Sequence, residues 1–550
     1  MTTRAEADAL DPITVEVVRH KLDGIAEEME QTLLRSSFSP IVKEGLDASA
    51  SLFTIGGETL AQACAIPIHL ATLIPCVEAI LREYPAASMR PGDIYIMNEP
   101  YLGGTHLPDI ALVMPIFHDG APIALSATMT HHQDVGGMTP GSVPTNATEI
   151  FQEGLRIPPL KLRDAGAMNT TLVRMLRLNV RIPDTVMGDL DAQIAACQMG
   201  GRRLAELAAI HGAPALHAIF ATLLDRSERM TREALRAMPE GTYRHVDHLD
   251  NDGIEYGRPI RIEVSVTVRD GAFHCDFTGT SPQLKGPFNC VRSGSQAAAY
   301  FAVRALTDPT IPTNAGCFRP VSLHLPEGTL VNPREPAPVG SRTATIKRIT
   351  GCILGAFRDA LPDRVPADAA GELLTLAFGG SHRGRRFVVG ELIAGGSGAS
   401  AARDGVDVIE TDATNCMNLP VEAMEMDAPI RILSSSIRTG SGGRGRRRGG
   451  LGIRREYEIL HGDVRFTHRG ERHFFAARGR NGGEDGEKSR SVILRNNGSV
   501  EEIPSKIVTT LHAGDRILIE TAGGGGYGAP QERDPEALRR DVEDRKTKGD

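Results

Sequence analysis

His106, Asp109 and His131 are the residues of this 550-residue chain whose types and surroundings suit divalent-metal chemistry. Imidazole nitrogens mixed with a hard carboxylate oxygen bind Zn²⁺, Mn²⁺ or Fe²⁺, and that mixture favours a catalytic ion over a structural zinc. An ion held this way with an open position lowers the pKa of a water and polarises an amide-like oxygen. His106 and Asp109 stand in the Gly/Pro-rich stretch NEPYLGGTHLPD, and His131 opens HHQDVGG. Within HHQDVGG, His132 and Asp134 are candidates to orient a ligand ring by hydrogen bonding, or are ordinary loop polar residues. The HxxD spacing alone also fits an exposed polar triplet beside a core histidine, so at this level both readings stand.

The elements that must position these residues follow from periodicity. DIYIMN, residues 93–98, reads as a buried strand running into the loop that carries His106. Residues 110–118 (IALVMPIFH) and 121–129 (APIALSATM) flank Asp119-Gly120, a two-residue hairpin turn. Pairing His118 with Ala121 sets Ile110 opposite Met129 and brings His131 level with Pro108, so the three residues meet at one open end of a sheet.

Elsewhere, Asp11-Pro12 starts a helix in which Val15, Val18, Leu22, Ile25, Met29 and Leu33 form a narrow apolar stripe, expected to dock on the body or on a partner. A second hairpin turns at Asp270-Gly271, and residues 189–211 and 214–238 read as long helices. Hairpins and helices are segregated, which predicts an α+β architecture of several lobes. We expect residues 1–180 to hold the first helix and the metal region, and 181–380 a central helical and hairpin region. Residues 381–530 read as a Gly-rich β lobe with broad turns, GGGGYG among them, and 531–550 as a short helix fading into a charged, mobile tail.

Hydrophobic residues at 41% and charged residues at 24% are those of a globular protein too long for one core. A net charge of −8, no tryptophan and 4% aromatics argue against a nucleic-acid partner. The Arg/Gly run GGRGRRRGG resembles an RGG segment, yet one basic loop supplies few phosphate contacts. Arg444, Arg446, Arg447 and Arg448 either meet phosphate or form a solvated loop face. Eight scattered cysteines without a C-x-x-C pair, a polar start and no apolar run of roughly 20 residues point to a reducing cytoplasm and no membrane.

NEPYLGGTHLPDIALVMPIF followed by SATMTHHQDVGG resembles the signature of the hydantoinase B/5-oxoprolinase family. The resemblance continues in order through GDLDAQIAACQMGGRRL, DFTGTSPQLKGPFN, VNPREPAPVGSRT, RGGLGIRREY and TAGGGGYGAP, over nearly the whole chain. It implies one divalent metal held by His106, Asp109 and His131, with Asp47 of DASASLF as a further ligand. It also implies an A-type ATPase subunit that phosphorylates a small cyclic amide before hydrolysis, in a hetero-oligomer. No G-x-x-x-x-G-K-[ST] loop is present, in keeping with ATP on the partner. The acetone-carboxylase branch, carboxylating a phosphorylated ketone with a similar metal subunit, is the alternative activity. A silent scaffold for the ATPase is the non-enzymatic one.

Overall fold

The computed structural model describes residues 10–547, so the start of the polar N-terminal segment and the last three residues of the charged tail lie outside the described residues. Among the described residues are eleven α-helices and four sheets, most strand pairs being antiparallel, as the α+β expectation requires. The first helix, α1 (Pro12–Ser36), is capped by the Asp11 carboxylate, which accepts the N–H groups of Ile13 and Thr14. Its predicted stripe is buried, and the surface it docks on belongs to this chain: α2 (Pro183–His211). A Cβ at Gly200 of α2 would lie 2.3 Å from Met29 Sδ, so a larger residue there would force the Met29 side chain to move where the two helices meet.

Chain direction turns at Gly212 (φ 78°) into α3 (Ala213–Arg236), a bend of 108°. No single helix among the described residues is long and apolar enough to cross a membrane. The α2–α3 pair reaches that composition only jointly.

The sheet that carries the candidate ligands has seven strands. They are β1 (Ala48–Thr54), β2 (Thr59–Gln62), β3 (Ile94–Met97), β4 (Asp109–His118), β5 (Ala121–His131), β6 (Leu160–Asp164) and β7 (Ala167–Met168), in the order β2-β1-β5-β4-β3-β6-β7. Both faces of β4 are covered. Ile110 and Leu112 pack into one apolar cluster with α2, Ala111 and Val113 into another, which is why the strand reads as a continuous apolar run.

The Asp119-Gly120 turn forms as expected, both residues at positive φ (49° and 79°), and His118 faces Ala121. The register beyond it differs from the sequence expectation by one residue. Phe117 faces Pro122 but Ile116 faces Ala124, so Ile123 is an extra residue on β5 and Ile110 faces Thr130, not Met129. Such a bulge suits a proline, which has no N–H to give the ladder. Its consequence is that His131 faces Asp109 itself instead of Pro108.

A second sheet, order β11-β10-β9-β8, contains the other predicted hairpin, β9 (Ile260–Arg269) and β10 (Ala272–Asp276), between β8 (Gly241–Leu249) and β11 (Val321–His324). The helix α4 (Arg342–Ala356) lies on β8 and β9 and points its first turn at the metal region. Two further sheets follow, built around strands Leu374–His382 and Ile453–Ile459, and share a core that includes Phe378, Tyr457 and Phe466.

Among these sheets the four consecutive glycines of GGGGYG do not form a turn, which corrects that reading. None of Gly523, Gly524, Gly525 and Gly526 has positive φ. The segment is extended and threaded among other backbones: Gly524 N–H donates to Gly450 O at 2.9 Å, Gly525 N–H to Asp368 O at 2.9 Å and Gly526 N–H to Glu484 O at 2.9 Å. A Cβ at Gly524 would lie 1.9 Å from Ser397 O. Glycine is required here by the closeness of neighbouring chains, not by a left-handed conformation. Two of the four arginines in the basic run beside it are spent on internal pairs: Arg444 with Glu484 at 2.8 Å, and buried Arg448 with Asp407 at 3.0 Å and Asp541 at 3.4 Å. Asp541 belongs to the helix Pro535–Glu543, which Arg533 also holds through Asp541 (2.5 Å) and Asp404 (2.9 Å).

Candidate metal centre

Three adjacent strands deliver the site. Asp109 begins β4 directly opposite His131 at the end of β5, and His131 N–H donates to the carbonyl of Asp47 at 3.1 Å, just before β1 begins. The β1–β5 register, with Ala48 opposite Thr130, extends to Asp47 opposite His131. Asp47, His131 and Asp109 therefore stand side by side in a row across the sheet end, at the spacing of cross-strand neighbours. His106 joins from the turn before β4, in which Asp109 N–H donates to His106 O at 3.0 Å.

The side chains converge. His106 Nε2 lies 2.9 Å from Asp109 Oδ1 and 3.2 Å from His131 Nδ1, and His131 Nδ1 lies 3.2 Å from Asp109 Oδ1. These three residues form a candidate metal-holding group, with Asp47 at its margin, Oδ2 4.0 Å from His131 Nδ1.

The environment of His106 determines which of its nitrogens is available. Nδ1 lies 2.9 Å from the Gly340 carbonyl, which only accepts, so the ring proton sits on Nδ1 and the lone pair on Nε2. Glu153 fixes that carbonyl: its carboxylate accepts the N–H groups of Val339 (3.0 Å) and Gly340 (2.7 Å). Burial, reinforced by the nearby Arg342 guanidinium, lowers the His106 pKa to about 3, so the imidazole is neutral. Burial opposes charge on Asp109, but His106 and Arg342 hold its pKa well below the usual carboxylate range. Because His106 is neutral, we assign that stabilisation to Arg342, which pairs with Oδ2, and to Thr105, whose hydroxyl donates to Oδ2 at 2.5 Å.

One consequence decides how the group fits a cation. With its proton on Nδ1, His106 presents a lone pair to a carboxylate oxygen 2.9 Å away, so two acceptors face each other with no proton between them. His106, Asp109 and His131 would hold a divalent ion that relieves this repulsion, so the residues present fit such a group.

Three residues of the site were not selected from the sequence. His69, 1% exposed on the 3-10 turn Pro67–His69, sets Nε2 3.7 Å from Asp47 Oδ1 and 3.6 Å from Asp109 Oδ2. A histidine inside the apolar stretch AIPIHLATLIPC was the available signal. Arg342 opens α4, and Arg469 ends the strand Asp463–Arg469; both line the same cavity of about 40 Å³.

His132 and Asp134 do not orient the ligands. His132 is buried with Nε2 2.9 Å from Gln193 Oε1 of α2, and Asp134 holds the following loop through Arg181 (2.8 Å) and the N–H groups of Gly136 and Gly141. The orienting role falls to the Gly340 carbonyl, Thr105 and Arg342.

Residues 11–530 match the family model described as hydantoinase B/oxoprolinase. The chain belongs to the hydantoinase B/oxoprolinase family. A protein of Pseudomonas sp. (strain NS671), provisionally named as the B component of a D-/L-hydantoinase, is 33% identical over 97% of this chain and 93% of its own length. The 5-oxoprolinase of Dictyostelium discoideum is 32% identical over 94% of this chain, but this chain spans only 40% of that enzyme. Among solved structures, the ATP-dependent caprolactamase of Pseudomonas jessenii superposes with a TM-score of 0.92 at 29% identity, covering 98% of this chain and 95% of that one. Acetone carboxylase superposes with a TM-score of 0.91 at 21% identity over 100% of this chain and 79% of that one, a likeness of fold.

Proposed function

We propose that this hydantoinase B/oxoprolinase family member is the metal-bearing B-type subunit of an ATP-dependent hydrolase of cyclic amides. Its substrate would be phosphorylated by a separate A-type subunit. The observation that carries the reading is the pair of facing acceptors, His106 Nε2 and Asp109 Oδ1, beside His131. When bound there, the divalent ion supplies Lewis acidity toward an amide-type oxygen and acidifies water.

The chain's own residues do the rest. Gly340, held by Glu153, keeps the lone pair of His106 aimed inward. Arg342 and Thr105 keep Asp109 ionised and in place. Ile41, Ile68, Leu373 and Leu392 exclude bulk water from the cavity, which strengthens every charge interaction inside it. Two features support the partner: the Pseudomonas relative is named as the B component of a hydantoinase, and this sequence contains no phosphate-binding lysine loop. Eight free cysteines, seven of them buried, suit the reducing cytoplasm proposed for the complex.

The carboxylase alternative rests on likeness of fold, whereas the hydrolase reading rests on the nearer hydantoinase and caprolactamase relatives. The test is reconstitution with the A-type subunit and ATP, with hydantoin, 5-oxoproline and caprolactam as substrates and labelled bicarbonate with acetone as the competing reaction. Ring opening that requires both subunits and ATP is expected. Label fixed into acetone, or no turnover of any cyclic amide, would contradict the assignment.

A further inference from the structure

One buried cation at the centre has no anion. Arg469 is 4% exposed and lines the cavity shared by Asp47, His106, Asp109 and His131. Its Nη2 donates to Thr375 Oγ1 at 2.6 Å, while Nε and Nη1 have no hydrogen-bond partner. Among the described residues, no carboxylate lies within the 4.0 Å of an ion pair. Several other buried cations differ: Lys347 meets Glu410 at 2.8 Å, Arg348 meets Asp247 at 3.0 Å, Arg455 meets Glu391 at 2.8 Å, and Lys506 meets Glu471 at 2.6 Å, while Arg480, which also lacks a carboxylate, donates to Val365 O and lies over the Tyr527 ring outside this cavity. Arg342, on the same cavity, is paired with Asp109.

Holding a guanidinium out of water with no counter-charge is costly, and such groups persist where an anion completes them. Burial, with Arg342 adding repulsion, lowers the Arg469 pKa to about 10, which leaves it charged at neutral pH. Nη2 gives one of its two N–H groups to Thr375, so its other N–H forms a two-donor edge with a free N–H of Nε or Nη1, and that edge matches two oxygens of one oxyanion. Asp47 and Glu471 contribute attraction from further away, so they do not neutralise it.

We propose that Arg469 is the anion-recognition residue of the centre, pairing with an oxyanion of the substrate. That oxyanion is the phosphoryl group of an activated amide or a carboxylate that the substrate itself carries. The proposal rests on the hydrolase reading and adds a reason for its coupling to ATP. An unactivated neutral amide in this cavity leaves the guanidinium uncompensated, whereas its phosphorylated form completes the pair, so Arg469 selects for substrate already activated. It places phosphate recognition at the cavity and not at Arg444 or Arg448 of the Arg/Gly run, which are paired with Glu484, Asp407 and Asp541.

The test uses the full chain loaded with its metal, titrated calorimetrically with inorganic phosphate and, separately, acetate. Arg469→Met is expected to weaken phosphate binding by roughly tenfold or more while bound metal stays unchanged, and Arg469→Lys to recover part of the loss. Arg469→Gln provides the same comparison if the methionine variant does not fold. Dependence of acetate binding on Arg469, without dependence of phosphate binding, assigns the oxyanion to a substrate carboxylate. Equal binding of both anions by wild type and variants overturns the proposal even if the metal is present. A wild-type chain that holds no metal sinks the hydrolase reading, while loss of phosphate binding in Arg469→Met still supports the anion site and its absence overturns it.

Discussion

Asp109→Asn is expected to lose the bound metal, to reduce ring-opening turnover by at least about 100-fold and to lower folding stability by about 3 kcal/mol. The first two losses follow because Asp109 Oδ1 is the atom nearest both ring nitrogens, at 2.9 Å from His106 Nε2 and 3.2 Å from His131 Nδ1. An amide in its place removes the charge and leaves a poorer ligand. The third loss has a separate origin. Asp109 Oδ2 is the counter-charge for Arg342, whose side chain is 2% exposed, and breaking one half of a buried pair leaves the other half uncompensated. Thermal unfolding in the presence of a chelator isolates this term from metal loss. There, the Asp109→Asn, Arg342→Met double variant is expected to be less destabilised than the sum of its single variants. Additive losses would mean that the pair is not coupled.

Gly524→Ala is expected to cost more than about 4 kcal/mol, and in practice to prevent accumulation of folded protein. The backbone there has no positive φ, so conformational strain is not the reason. The added carbon would lie 1.9 Å from Ser397 O and 2.3 Å from Ser397 C, both backbone atoms of a neighbouring extended segment that is itself tied to Gly450. Neither can rotate away as a side chain would, and moving them breaks hydrogen bonds of several chains at once. Gly24→Ala in α1 is the control. Nothing lies within 4 Å of the methyl carbon it would add, so the midpoint of thermal denaturation should be unchanged or slightly higher. Comparable destabilisation by both substitutions would refute a packing origin.

What was legible in the sequence depended on whether a local rule reported on it. The Asp119-Gly120 and Asp270-Gly271 turns and the Asp11-Pro12 helix start carry their own chemistry, and each formed where the residues placed it. The proximity of His106, Asp109 and His131 was also legible, because strand ends joined by a tight turn must be neighbours. The extra residue at Ile123 was not, since alternation is blurred in strands buried on both faces; Pro122 was the one local hint. Asp47 was reached through family resemblance alone. Its place beside His131 comes from β1 pairing with β5 across some 80 residues of chain, which no local pattern encodes.

Long-range contact also explains the other differences. Arg342 and Arg469 reach the site from elements more than 200 residues away from His106, and their buried environment exists only after the sheets pack. His132 looked equivalent to His131 as its neighbour, but adjacent residues of a strand end point to opposite sides, and His132 faces Gln193 of α2. GGGGYG reads as a turn from composition because glycine serves two needs, left-handed turns and close chain approach, which composition does not tell apart.

The metal content of the purified full chain tests the central claim most directly. Elemental analysis after exhaustive dialysis, on wild type and on His106→Ala, is expected to find close to one equivalent of a first-row divalent ion in the former and almost none in the latter. A wild-type chain that retains no divalent ion even after loading with zinc, manganese and iron, or a His106→Ala variant that retains as much as wild type, would contradict the account.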